Sequence, residues 1–258
     1  MQYALVAGGS KGIGYAIAEA LAMRKYNLIL VGRNAETLRT AKHTLESLHK
    51  IKVESLQHDL GLENAAEKIA QWCEENQIPL KMLCNVAGMG GAKDYLLLPP
   101  DQLRYMIKLN VESTMGLTMK LLPLLEKNEP SYILNVGSMA GFAPIPIKNL
   151  YAATKSAVIF FSYALRYQLK KKNISVSCLC PGPVFTTPEI ERDTLEKLGW
   201  LGAHMAVDPK TIGEIAVRRT LNKRLIIVPG FLSKMMSIVL RTLPRRLLVF
   251  IYDKLGNK

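Results

Sequence analysis

The chain has 258 residues and a formal charge of +13, from 34 Lys and Arg against 21 Asp and Glu. With 49% apolar and 21% charged residues it is no disordered segment, and a domain of this size buries roughly 70–75% of its unfolded surface without needing a disulfide or metal staple. The charge raises nucleic acid as a partner, but its placement argues against one: residues 218–258 hold ten cations and one acid, Asp253, giving a +9 tail on a near-neutral body.

In chain order, short aliphatic runs at 3–7, 27–31, 52–56, 81–86, 132–136, 174–180 and 225–228 predict seven strands. Helical periodicity covers 12–24, 35–50, 62–76, 100–127, 150–172 and 209–222. This alternation predicts an α/β fold, a doubly wound seven-stranded parallel sheet of the Rossmann type with helices on both faces. Ligands of such sheets bind beyond the carboxyl ends of the strands, so functional residues are expected just after each strand.

After the first strand comes Ala7-Gly8-Gly9-Ser10-Lys11-Gly12-Ile13-Gly14, opening a helix. Gly8 permits the tight turn, Gly12 admits a pyrophosphate to the backbone, and Gly14 allows close helix–strand packing. The helix start offers free N–H groups to phosphates. The second strand ends Val31-Gly32-Arg33, where an NAD site normally has an acid. Arg33 and Lys11 instead favour a 2′-phosphate and hence NADP(H), against the alternative of an exposed, unpaired Arg33. Asp59 follows the third strand and is either a hydrogen-bond acceptor for adenine or a helix N-cap.

Tyr151 and Lys155 stand at i and i+4, on one face of a helix. A nearby ammonium lowers a phenol's pKa. A drop of about three units, roughly 4 kcal/mol, brings Tyr151 near working pH as a general acid/base. Ser138, thirteen residues earlier at the end of the fifth strand, can reach the phenol and bond a reacting carbonyl oxygen. Asn110 sits mid-helix, where Asn is disfavoured. It either holds a water beside Lys155 or is satisfied by local backbone.

With these motifs the chain resembles the short-chain dehydrogenases/reductases. The matching residues are Gly8-x-x-x-Gly12-Ile13-Gly14, Asp59-Leu60, Asn85-Val86-Ala87-Gly88, Asn110, Ser138, Tyr151-x-x-x-Lys155 and Pro181-Gly182-Pro183-Val184-x-Thr186, in family order. The resemblance implies Tyr151 as acid/base and Ser138 as carbonyl polariser. It implies that Lys155 binds the nicotinamide ribose and tunes Tyr151, with Asn110 supporting the proton relay. Asn85, Ala87 and Gly88 would line the cofactor, and Pro181 to Thr186 would cover its nicotinamide end. The family usually has Thr where Ala7 stands and Asn where Val86 stands; each change removes a side-chain hydrogen bond that helps fix the loop.

Residues 183–208 interrupt the alternation and read as a lid with a short helix near 188–198. Val184, Phe185, Ile190, Leu195, Leu198, Trp200 and Leu201 suit an apolar or acyl-type ketone, or simply pack the lid on the body. The domain reading is a catalytic unit over 1–229 and an extension over 230–258. In the extension Leu232, Met235, Met236, Val239, Leu240 and Leu243 share one helical face, and Pro244 separates a second helix carrying Leu247 to Tyr252. Such basic amphipathic helices suit peripheral contact with a membrane, or docking on the body or a second subunit. The tail's character loosely resembles that of family reductases acting on long-chain 3-oxoacyl and steroid substrates.

The four cysteines lack metal-ligand spacing, which argues against zinc. Cys178 and Cys180 should face one side of a strand as core filler, in a reducing, cytoplasmic compartment. The first strand starts at Tyr3, which leaves no room for a signal peptide, and no uncharged run reaches the roughly 18 residues of a membrane span. The expected activity is NADPH-dependent reduction of a ketone to an alcohol, and the family resemblance implies a homodimer or homotetramer formed through the helices near 100–127 and 150–172. Alternatives are an NADP-linked hydroxysteroid or polyol dehydrogenase and, outside enzymes, a cofactor-sensing regulator; a sensor need not keep Ser138, Tyr151 and Lys155.

Overall fold

The computed structural model describes residues 2–90, 97–185, 192 and 205–256. Its strands are β1 (Tyr3–Ala7), β2 (Asn27–Gly32), β3 (Val53–Gln57), β4 (Leu80–Asn85), β5 (Ser131–Val136), β6 (Ile174–Leu179) and β7 (Ile226–Ile227). They form one sheet in the order β3-β2-β1-β4-β5-β6-β7, and every pair is parallel. The seven predicted strands are all present. The order reverses between β1 and β4, and the crevice at that switch point is where such sheets take their ligands.

The helices are α1 (Gly12–Ala22), α2 (Ala35–His49), α3 (Ala65–Glu75), α4 (Pro100–Ile107), α5 (Ser113–Lys127), α6 (Asn149–Gln168), α7 (Pro209–Leu221), α8 (Phe231–Thr242) and α9 (Arg245–Gly256). Alternation along β1 divides the core. Ala4 and Val6 pack with α1, α2 and α7, whereas Tyr3, Leu5 and Ala7 pack with α3, α5 and α6. Both faces of the sheet are therefore covered, and its strands read as continuous apolar runs for that reason.

Two helices differ in detail from the periodicity. The single helix expected over 100–127 widens into a π turn at Lys108–Glu112, which contains Asn110. The helix expected to 172 ends at Gln168. The lid positions Thr186, Pro188, Ile190, Leu195, Leu198, Trp200 and Leu201 lie outside the described residues.

Residues 230–256 pack on the body. Leu240 and Leu248 join a third core cluster with Met139, Phe142, Val158, Ile159, Cys178 and Cys180. The Arg245 guanidinium donates to the carbonyls of Phe142 (2.5 Å) and Leu240 (3.1 Å). Pro244 stands one residue before α9, and its carbonyl accepts from Leu247 and Leu248. All four cysteines are free and buried, and the Cys178 and Cys180 sulfurs lie 3.7 Å apart on one side of β6, as the alternation predicts. Among the described residues no helix is long and apolar enough to cross a membrane.

Candidate active site

The loop after β1 is built for close approach. Gly8 has φ +85°, and a Cβ there would lie 2.8 Å from the Ala87 nitrogen. A Cβ on Gly14 would fall 1.9 Å from the Gly8 carbonyl oxygen. The loop is held by backbone: Gly8 N–H donates to Val31 O (2.8 Å), and Ala87 and Val86 N–H donate to Ala7 O (2.7 and 3.0 Å). These bonds close it without the side chains missing at Ala7 and Val86. The first turn of α1 has no acid and no side-chain cap from Lys11, so its N–H groups remain available to an anion. An open cleft of about 450 Å³ beside it is lined by Ser10, Lys11, Gly12 and Tyr15, and on α2 by Glu36, Thr37, Thr40, Ala41 and Thr44. Ile13 turns partly into the core against α1's neighbours.

Arg33 is exposed but not unpaired. Its guanidinium donates to the Tyr105 hydroxyl (2.8 Å), which in turn donates to the Asp59 carboxylate (2.8 and 3.1 Å). Asp59 also accepts from Gly61 N–H (2.9 Å). It therefore caps its own turn; α3 starts later, after Asn64. A Cβ on Gly61 would sit 2.3 Å from the Tyr105 ring, so only glycine lets Tyr105 reach this place. Tyr105 is the site residue that sequence reading missed. Nothing local marks it, since it lies 46 and 72 residues from its partners.

Two of the expected cofactor-lining residues turn their side chains into the core. Leu60 is buried in the core beside α3. Asn85 turns its amide into the core, donating to Asn135 Oδ1 (2.9 Å) and Thr118 Oγ1 (3.0 Å). Asn135 continues this buried network to Ser162 Oγ (2.9 Å). Asn85 thus ties β4 to β5 and α5 through its Nδ2, while its buried Oδ1 has no partner among the described residues.

At the carboxyl end of β5, Ser138 Oγ accepts from Ala140 N–H (3.1 Å) and starts the 3₁₀ turn Met139–Phe142. The same hydroxyl lies near the Tyr151 phenol and favours its ionised form. The Lys155 ammonium lies 5.9 Å from the centre of the Tyr151 ring and donates to Val136 O (2.8 Å). Lys155 is buried, and burial drops its pKa to about 8, although the Cys178 and Cys180 sulfurs pull the other way. The Tyr151 phenol is pushed up, by burial first, with the Ser138 hydroxyl opposing. The lowering by Lys155 expected from the spacing does not appear: its ammonium stands 5.9 Å from the ring centre, and burial sets the direction.

Asn110 clamps the loop after β4. Its Oδ1 accepts from Met89 N–H (2.8 Å), and its Nδ2 donates to Met89 O (2.9 Å) and Thr154 Oγ1 (3.0 Å). The satisfying backbone is thus 21 residues away rather than local. The π turn aims the amide there; such turns recur at functional sites. Gly88 leaves a gap between Asn110 and Lys155: a Cβ in it would meet Asn110 Oδ1 at 3.1 Å and Lys155 Nζ at 3.3 Å. On the other side of Tyr151 is a cavity of about 180 Å³, lined by Met89, Gly90, Leu98, Gln102, Met106, Lys148, Leu150 and Tyr151. Pro181 O accepts from Met139 N–H (3.0 Å), Gly182 rests against Ser233, and Val184 is buried in the core. Thr186 lies outside the described residues.

A model of the short chain dehydrogenase family matches residues 2–196. The chain belongs to the short-chain dehydrogenase family. It is 31% identical over 201 residues to the very-long-chain 3-oxoacyl-CoA reductase of Mus musculus, covering 76% of this chain and 64% of that one. The chain thus spans less than two thirds of that relative's length. Among solved structures, the short-chain dehydrogenase from Sphingobium yanoikuyae in complex with NADPH shares the fold with a TM-score of 0.80 at 24% identity, over 95% of this chain and 96% of that one. A 7beta-hydroxysteroid dehydrogenase gives a TM-score of 0.88 at 18% identity, over 98% and 96%. The family is one of oxidoreductases that work with NAD(P)(H). The residues present fit such a cofactor: the Cβ-free cradle at Gly8 and Gly14 and the uncapped start of α1 leave room and donors for a pyrophosphate.

Proposed function

We propose that this chain is an NADPH-dependent reductase of apolar ketones, with 3-oxoacyl thioesters as the substrate class. The observation that carries the reading is the gathering of Ser138 and buried Lys155 at Tyr151, beside a largely apolar cavity. The name of the Mus musculus relative supports the acyl class. Ser10, Lys11, Gly12 and the α1 amino end would hold the phosphates, and Lys11 with Arg33 the 2′-phosphate that selects NADPH. When bound, the reduced cofactor supplies hydride to the carbonyl carbon.

The chain's own residues handle the oxygen. Ser138 donates a hydrogen bond to the carbonyl, and Tyr151 gives it the phenolic proton. Burial raises the Tyr151 pKa, so the phenol carries its proton at neutral pH, the form a general acid needs. Asn110 fixes Met89 and Thr154, so the cavity wall and the Tyr151 helix keep their register. Lys155, held by Val136, stands ready to return a proton to Tyr151.

Tyr151→Phe is expected to abolish turnover while NADPH binding, followed by its fluorescence, stays near wild type. Substantial residual turnover rules out the assignment. A panel of 3-oxoacyl, steroid and small polar ketones tests the substrate class, and activity confined to the last group rules out the apolar reading.

The exposed side chains of Met119 on α5 and Phe160 and Tyr167 on α6 support a homodimer or homotetramer formed through these helices. Sedimentation velocity tests this, and a monomer at micromolar concentration rules it out. Four buried free thiols support a reducing compartment such as the cytoplasm.

A further inference from the structure

Helix α8 is apolar on two faces. Leu232, Met236 and Leu240 pack on the body, while Phe231, Met235, Ile238 and Val239 stand in solvent at i, i+4, i+7 and i+8. Helix α9 repeats the arrangement, with Leu248 buried and Phe250 and Ile251 outside. Phe231 is 79% and Phe250 56% exposed, and with their exposed neighbours they make the kind of apolar patch that marks an interaction site. Cations flank these residues. Lys234, Arg246 and Lys254 are exposed, and the Lys254 ammonium sits 4.7 Å from the centre of the Phe250 ring.

We infer that the outer faces of α8 and α9 seat on an anionic lipid surface. Two arguments select this occupant. A two-fold contact with a second copy would set the same patch against itself, and so Lys234, Arg246 and Lys254 against their own copies. An anionic bilayer instead attracts each cation and takes protruding aromatic and aliphatic side chains into its headgroup boundary. Arg241 and Arg245 belong to the anchoring side: Arg241 bonds the Tyr163 hydroxyl (3.2 Å) and Arg245 the Phe142 carbonyl (2.5 Å).

The inner side of the same helices supports the site. Helix α8 packs on Met139–Phe142, the turn that Ser138 starts, and α9 packs on Pro146–Lys148. Lys148 lines the cavity beside Tyr151. An apolar ketone dissolved in lipid therefore has the cavity close to the docked face. That delivery route depends on the activity proposed above; binding to lipid does not.

The test is co-sedimentation of the full chain with phosphatidylcholine vesicles, with and without phosphatidylserine. Binding is expected only to the phosphatidylserine vesicles and should weaken with salt. Lys234→Gln with Arg246→Gln should lower partitioning about 25-fold, at about fivefold per cation. Phe231→Ser with Phe250→Ser should lower it by about tenfold or more, with circular dichroism unchanged because both rings lie outside the core. Equal binding to the two vesicle types, or none to either, overturns the inference from the wild type alone. It is also overturned if the Phe pair leaves vesicle binding intact or if that pair instead dissociates a dimer.

Discussion

Replacing Lys155 by Met gives a pH signature that follows from burial. Lys155 is buried with one hydrogen bond, to Val136 O at 2.8 Å, and its pKa falls from 10.5 to about 8. The difference of about 2.5 decades in proton affinity is about 3 kcal/mol, at about 1.4 kcal/mol per decade. Below pH 8 both folded and unfolded chains hold the proton, so this residue gives no slope. Between pH 8 and 10.5 the unfolded chain still holds it and the folded chain does not. Stability therefore rises with pH across that window, and the gain is lost as pH falls through 8. Lys155→Met removes the titration and leaves the Val136 carbonyl unpaired, a cost that does not vary with pH. Urea denaturation of both proteins from pH 7 to 10.5 should show wild type gaining about 3 kcal/mol on the variant. Parallel curves would refute a buried, weakened ammonium. A difference that shrinks as pH rises would show that an anionic partner outweighs burial.

Three further substitutions test the surroundings. Tyr105→Phe removes the hydroxyl between Arg33 and Asp59 and should weaken NADPH about fivefold, the value of one hydrogen bond of about 1 kcal/mol, with NADH less affected; fluorescence titration with both cofactors checks this. Asn85→Ala strips partners from buried Asn135 and Thr118 and should cost about 2–3 kcal/mol, read by denaturant midpoint, while cofactor affinity of the folded protein stays near wild type. Gly14→Ala forces a Cβ to 1.9 Å from the Gly8 carbonyl, so the phosphate loop must shift; isothermal titration should show cofactor binding lost or strongly weakened, and unchanged affinity would refute the close-packed loop.

Some of this was legible because it is local. Strand and helix periods are written in neighbouring residues, so the alternation yields the parallel sheet, whereas the strand order and its switch point come from the fold. Gly8, Gly12 and Gly14 mark the phosphate loop because steric room is a property of each position. Tyr151 and Lys155 share a face because 3.6 residues make a turn. Cys178 and Cys180 share a side of β6 because a strand alternates.

The tertiary structure decided what depends on partners far along the chain. The direction of the Tyr151 pKa depends on how much water the folded site excludes, which no spacing encodes. Asn85 reads as a cofactor residue by its motif, yet its amide faces Asn135, fifty residues on. Tyr105 joins Arg33 and Asp59 only because the fold lays its ring on Gly61. The tail shows one apolar face in its periodicity, but packing divides α8 into a face buried with Leu240 and a face left to solvent with Phe231. Periodicity reports which side chains point together; only the fold determines what they meet.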